Sequence, residues 1–185
     1  MGEPGTKAPL SLEELEAATG MRTGRTHVLS ILVENRPGVL TRIAGLFARR
    51  GFNIETLTVG PTADEKFSRI TLTVDGAVHP IDQVTKQLHK LVNVLKIRDL
   101  EPSGTVTREL ALFKVAAEGA ARSEVLEFTQ IFRGHVVDTT KRSLTIEVTG
   151  SAEKIAAFER VVRPYGLIEM MRTGEIAMAR GRTET

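Results

Sequence analysis

The segment Glu34-Asn35-Arg36-Pro37-Gly38-Val39-Leu40 carries the strongest chemical signal in this 185-residue chain. It joins a β-branched run, His27 to Val33, to a stretch of helical periodicity. The first turn of a helix offers backbone N–H groups that have no partner within the helix, and such donors suit a small anion. The Asn35 amide beside them can meet both an ammonium and a carboxylate. A second asparagine, Asn53, stands just ahead of the next strand and is followed by Ile54. If the first turn crosses close to another subunit, an amino acid fits between its donors and the Asn53 turn, with Val39, Leu40 and Ile54 meeting a small apolar side chain. A structural alternative stays open at each position, with Asn35 as a helix cap, Pro37 and Gly38 as turn residues, and Asn53 in an Asx turn. Either way the chemistry is recognition, not bond making.

No competing catalytic constellation stands out. The four histidines, His27, His79, His89 and His135, lack metal-ligand spacing, and without cysteine there is no sulfur-ligated zinc, thiolate nucleophile or disulfide. Asp75, Asp82, Asp99 and Asp138 fall near element ends, where caps and turns are their ordinary use, and Ser30 has no local base. The glycines form neither a dinucleotide fingerprint nor a phosphate-binding loop. Twenty-five basic and 23 acidic side chains are scattered along the chain, so the small net charge of +2 implies no nucleic-acid partner. No apolar run has transmembrane length and the first residues lack a secretory pattern, so no membrane partner is expected and the cytoplasm is the expected compartment.

The elements that must position the asparagines follow from periodicity. Val39, Leu40, Ile43, Leu46 and Phe47 recur at helical spacing, Pro37 suits an early helical position, and Gly51 is placed to end the helix in a left-handed conformation. A strand from Ile54 to about Gly60, a polar turn over 61–65 and an alternating strand through Ser68, Ile70, Leu72 and Val74 follow. Ile81, Val84, Leu88 and Leu91 form one helical stripe, and 92–100 supplies a last strand. The order over 27–100 is therefore βαββαβ. It starts again after a linker at 101–107: a strand over 110–116, a helix ending near Gly134, strands at 135–139 and 142–149, a helix capped by Ser151, and a strand region over 167–179. The chain reads as α+β, with two ferredoxin-like βαββαβ domains in tandem over 27–100 and 108–181. Residues 1–26 form an N-terminal extension with a short helix suggested by Ser11 and Glu14, and 182–185 form a tail. Small domains of this kind leave a sheet face and edges that another domain or subunit should cover.

The same residues carry a resemblance. The turn Glu34 to Leu40, Ile43-Ala44-Gly45-Leu46-Phe47, Arg50-Gly51-Phe52-Asn53-Ile54-Glu55 and Leu57-Thr58-Val59-Gly60-Pro61-Thr62 resemble the small regulatory subunit of acetohydroxyacid synthase, also called acetolactate synthase. The likeness continues through Val84 to Val94, Arg108-Glu109-Leu110-Ala111-Leu112, Phe132-Arg133-Gly134 and Thr173 to Gly181. It implies that 27–100 is an effector-binding ACT domain and that the chain is non-catalytic. It further implies binding to a thiamine-diphosphate-dependent catalytic subunit, activation of that subunit, and feedback inhibition by a branched-chain amino acid, usually valine. Thiamine diphosphate, magnesium and FAD would belong to the partner. Asn35, Gly38, Val39 and Leu40 would line the effector site, with Asn53 and Ile54 contributed by the facing ACT domain of a homodimer within a larger hetero-oligomer. The second half would share contact with the catalytic subunit, where Arg108, Arg133 and Arg142 are candidates for interface ion pairs.

Two other readings remain at this stage. A βαββαβ sheet can bind single-stranded RNA, although aromatics are only 4% of the chain and Phe67 lacks basic, aromatic neighbours. An ACT-type sensor serving a different metabolic enzyme needs no catalytic residue either.

Overall fold

Leu29, Ile31 and Val33 alternate along β1 (Thr26–Glu34) and are all buried, so one face of that strand is committed to a core. The computed structural model describes residues 26–75, 81–182 and 184–185, and the helix suggested by Ser11 and Glu14 lies outside them. α1 (Val39–Arg50), β2 (Ile54–Pro61), β3 (Phe67–Asp75), α2 (Ile81–Leu88) and β4 (Val94–Leu100) complete the first unit. Its strands form an antiparallel sheet in the order β2-β3-β1-β4. Ile43 and Phe47 of α1 and Val84 and Leu88 of α2 pack on the face made by Leu29, Ile31, Ile70 and Leu72. Phe52 meets Phe47 edge to face at 5.7 Å and ties the helix end to the entrance of β2.

The opposite face is polar. Its register aligns Thr56, Thr73, Val28 and Leu100 in one row, Thr58, Thr71, Ser30 and Arg98 in the next, and Gly60, Arg69, Leu32 and Lys96 in a third. The second unit covers part of this face, with Gly174 against Thr56 and Thr58 of β2 and the last strand of the chain against β1 and β4. The expected linker is only partly one: Pro102–Gly104 make a 3-10 turn, and Thr105 already begins the long strand β5 (Thr105–Ala116).

β5 is the spine of the second half. Its later residues pair with β7 (Ser143–Gly150) and β8 (Leu167–Arg172), and β6 (His135–Thr139) closes the outer edge. Its first residues, Thr105 to Arg108, pair with β9 (Ile176–Ala179). The single strand region expected over 167–179 is thus two strands, broken at Thr173-Gly174-Glu175. α3 (Gly119–Ile131) and α4 (Ala152–Val162) cover one face, with Phe158 wedged between Phe113 at 5.0 Å and Phe132 at 5.3 Å. Ser151 starts α4 as expected, its hydroxyl accepting from the Lys154 N–H at 3.4 Å.

One charge cluster lies where the two halves meet. Glu109 on β5 is buried and accepts two hydrogen bonds from Arg172, at 2.7 Å from Nε and 2.6 Å from the terminal nitrogen. Near them burial, assisted by the charges of Glu109 and Glu153, raises the Glu175 carboxyl above its ordinary 4.5, against a Thr107 hydrogen bond and Arg172. A carboxyl raised in the folded state favours folding below its unfolded pKa, and that contribution is lost as pH rises through the folded value. Glu175→Gln is therefore expected to raise the melting temperature by about one degree at pH 7.5, with the gap closing as pH falls below 4.5. Paired thermal melts across that range measure it; an unchanged gap at low pH would contradict the assignment.

Candidate functional site

The turn after β1 is held by long-range contacts. The Asn35 N–H donates to the Lys66 carbonyl at 2.7 Å, and its Nδ2 donates to the Glu65 carbonyl at 2.9 Å. A carbonyl partner fixes which end of the amide is nitrogen, so Oδ1 faces away from Glu65 and accepts nothing from the described residues. Asn35 is consequently no helix cap. The cap position of α1 belongs to Gly38, which has φ 83° and whose carbonyl receives the Arg42 N–H at 3.0 Å. Pro37 lies before the helix instead of in its first turn.

What this leaves exposed is a small donor set. Among the described residues the N–H groups of Leu40 and Thr41 find no acceptor, as the start of a helix requires. The Leu40 side chain is exposed, while Val39 is buried in the core beneath α1. A side-chain role for Leu40 against an apolar ligand fits this placement, and Val39 forms the floor of the turn beneath it.

A network of side chains distant in sequence braces the same corner. Asn93 donates to Glu34 Oε2 at 2.6 Å and accepts from Arg42 at 3.1 Å, while Arg36 lies 3.5 Å from the same Glu34 oxygen. These partners are 59 and 51 positions apart, so periodicity could not have joined them. Gly38 is the backbone hinge of the corner, and a Cβ built there meets nothing within 4 Å. Its demand is torsional, not spatial. Gly38→Ala should therefore cost about 1 kcal/mol of stability through the left-handed φ and reduce ligand affinity further by tilting the free N–H groups. Denaturant melts and calorimetric titration separate the two effects, and an unaltered affinity would remove Gly38 from the site.

Asn53 and Ile54 are elsewhere in the chain. β1 and β2 both run antiparallel to β3, with Glu34 opposite Phe67 and Ile54 opposite Val74. The Asn35 turn and Asn53 thus sit at opposite ends of the sheet, roughly 20 Å apart at the strand rise. Asn53 is exposed, and Ile54 is half-buried against the core. A single copy does not bring the predicted site residues together. β2, however, is an edge strand.

In the second half, Arg142 lies 3.5 Å from Glu118, both largely exposed, and Arg108 donates to the Thr107 carbonyl at 2.7 Å. Such exposed contacts contribute little individually. Among the described residues no group of three His, Asp or Glu side chains is arranged to hold a metal ion.

The profile of the AHAS small subunit-like ACT domain matches residues 29–96, and that of the small subunit of acetolactate synthase matches residues 108–181. A probable acetolactate synthase small subunit from Methanothermobacter thermautotrophicus is 52% identical over 157 residues, covering 84% of this chain and 94% of the relative. The acetolactate synthase small subunit of Mycobacterium leprae is 50% identical over 156 residues, covering 84% and 92%. The crystal structure of the Thermotoga maritima acetolactate synthase small subunit superimposes with a TM-score of 0.79 at 39% identity, covering 86% of this chain and 99% of that one.

Proposed function

The chain belongs to the family of acetolactate synthase small subunits, and we propose that it activates the catalytic subunit of that synthase and subjects it to feedback inhibition by valine. Thiamine diphosphate, magnesium and FAD belong to the catalytic partner in this reading, and this chain supplies no reacting group. The carrying observation is the donor set at the start of α1: among the described residues the Leu40 and Thr41 N–H groups find no acceptor, and five residues earlier in the same turn Asn35 Oδ1 accepts nothing from the described residues. Backbone donors take the carboxylate of an amino acid and Oδ1 takes its ammonium.

The second half of the berth comes from another copy. Antiparallel pairing of two β2 edges about a two-fold axis places the Asn53 end of one sheet beside the Asn35 turn of the other, and extends both sheets without leaving β2 unpaired. The homodimer then holds two equivalent sites, each with Asn35, Gly38, Val39 and Leu40 from one copy and Asn53 and Ile54 from its partner. An amino acid seated there binds one relative packing of the copies better than another, which is the requirement for ligand control at a distance. Burying a valine side chain contributes about 1.5 to 3 kcal/mol, so its charged ends and the pocket size must supply the rest of the selectivity.

Reconstitution with an acetolactate synthase catalytic subunit tests the reading. Added small subunit should raise turnover, and valine should then lower it at concentrations below those needed for leucine or isoleucine. Absence of activation at saturating small subunit would overturn the assigned partner. The match of the second half to the same family weighs against an ACT sensor for a different enzyme. An RNA-binding role finds no stacking platform on the second sheet face, whose three central rows carry no aromatic ring, leave Phe67 alone at their end, and lie partly under the Gly174 corner.

A further inference from the structure

We propose that Thr173 and Gly174, at the corner between β8 and β9, are positioning residues that read the placement of β2 and pass it to the second half of the chain, an inference that rests on the effector site proposed above. β8 ends at Arg172 and β9 begins at Ile176, so this corner carries the chain from one half of β5 to the other. It presses on β2. Gly174 is buried with φ 81°, and a Cβ there would lie 3.1 Å from both the Thr56 Cβ and the Thr58 Oγ1. The Thr58 hydroxyl donates to the Thr173 carbonyl at 3.2 Å.

Each side of the contact is stiff within its own unit. On the second half, the Thr173 N–H donates to the Leu110 carbonyl at 3.0 Å and the Leu110 N–H donates to the Thr173 hydroxyl at 3.1 Å. The neighbouring Arg172 is clamped on buried Glu109. On the first half, the Thr56 and Thr58 side chains share a face of β2, and the Thr56 hydroxyl lies 2.6 Å from that of Thr73 on β3. The effector end of β2 is the adjustable part, because its ladder with β3 slips register between Ile54 and Thr56. A ligand that draws Asn53 and Ile54 toward the facing copy therefore moves a bulged strand end two residues from Thr56. With the Gly174 backbone seated against the Thr56 and Thr58 side chains, where an added methyl group would be tight at 3.1 Å, such a shift is transmitted across the contact, since close-packed surfaces have little slack to absorb it. The halves also meet where β9 packs against β1 and β4 and where Lys96 Nζ reaches the Glu184 and Thr185 carbonyls, so loss of the Gly174 contact alone leaves them joined.

Gly174→Ala breaks this contact, and Gly119→Ala is the matched control, with φ 56° and open space around its Cβ position. Valine binding to each isolated full-length chain is measured by calorimetry, and activation and valine inhibition are measured after reconstitution with the catalytic subunit. Gly174→Ala should bind valine within about threefold of the parent and still activate, while half-inhibition moves at least tenfold upward or the maximal inhibition falls by more than half. Gly119→Ala should match the parent in all three. Thr173→Val and Thr173→Ser form a second pair that adds no bulk at the glycine: the valine variant should uncouple and the serine variant, which keeps the hydroxyl, should not. Normal inhibition of Gly174→Ala, or equal behaviour of the two Thr173 variants, overturns the proposal. Failure of the parent chain itself to bind valine overturns the effector site instead, which keeps the two failures distinct.

Discussion

A chain carrying Asn35→Ala is expected to activate the catalytic subunit fully while requiring at least about tenfold more valine for half-inhibition. The substitution removes the Oδ1 acceptor offered to the ligand ammonium, and a hydrogen bond to a charged group contributes about 1.5 to 3 kcal/mol. It also removes the Nδ2 bond to the Glu65 carbonyl, but the backbone bond from Asn35 to Lys66 remains, so the turn keeps its course. Asn35 is exposed, and the melting temperature should fall by no more than about three degrees. Parallel titrations of activation and inhibition decide the matter. Equal loss of both would point to a damaged fold, and unaltered inhibition would exclude Asn35 from the site.

The largest loss of stability should follow Arg172→Met. It strands the Glu109 carboxylate, whose side chain is 1% exposed, without the two guanidinium hydrogen bonds that compensate its burial. Breaking a buried pair costs about 3 to 5 kcal/mol, and partial solvent access to Arg172 reduces this to roughly 2 to 4. The second half should then melt about 8 to 30 degrees lower. Combining Arg172→Met with Glu109→Gln should recover most of the loss, because no charge is left unpaired. A double variant no more stable than the single one would show that packing, not charge, sets the cost. Activation should fall with the second half while valine binding to the first half persists.

Much of the fold was legible because its signals are local. The alternation of Leu29, Ile31 and Val33 marks a one-sided strand, and Ile43, Leu46 and Phe47 mark a buried helix stripe that ends at Gly51, whose φ is 68°. The corner before that stripe was less legible. Pro37 suited an early helical position, yet α1 begins two residues later because the chain is pinned to Glu65 and Lys66 about thirty residues away. The break of the last strand was harder to place: Gly174 is the one turn signal between two strand-like runs, and a lone glycine also suits a bulge in a continuous strand, so only the switch of partner segments along β5 shows that the chain turns there. Sequence pattern also identified both asparagine turns without saying how far apart they lie. Strand register supplies that, since β1 and β2 run the same way and put the two turns at opposite sheet ends.

The central claim is that one effector site draws Asn35 from one copy and Asn53 from its partner, and mixing two inactive variants tests it most directly. Asn35→Ala and Asn53→Ala chains are each titrated with valine alone, then after unfolding and refolding together in equal amounts. Each variant alone should bind weakly, whereas random pairing should restore parent-like affinity at about a quarter of the sites, because half of the dimers are mixed and each mixed dimer holds one intact site. No restored binding after verified subunit exchange would place both asparagines in the same site of one copy, or outside the site, and contradict the account.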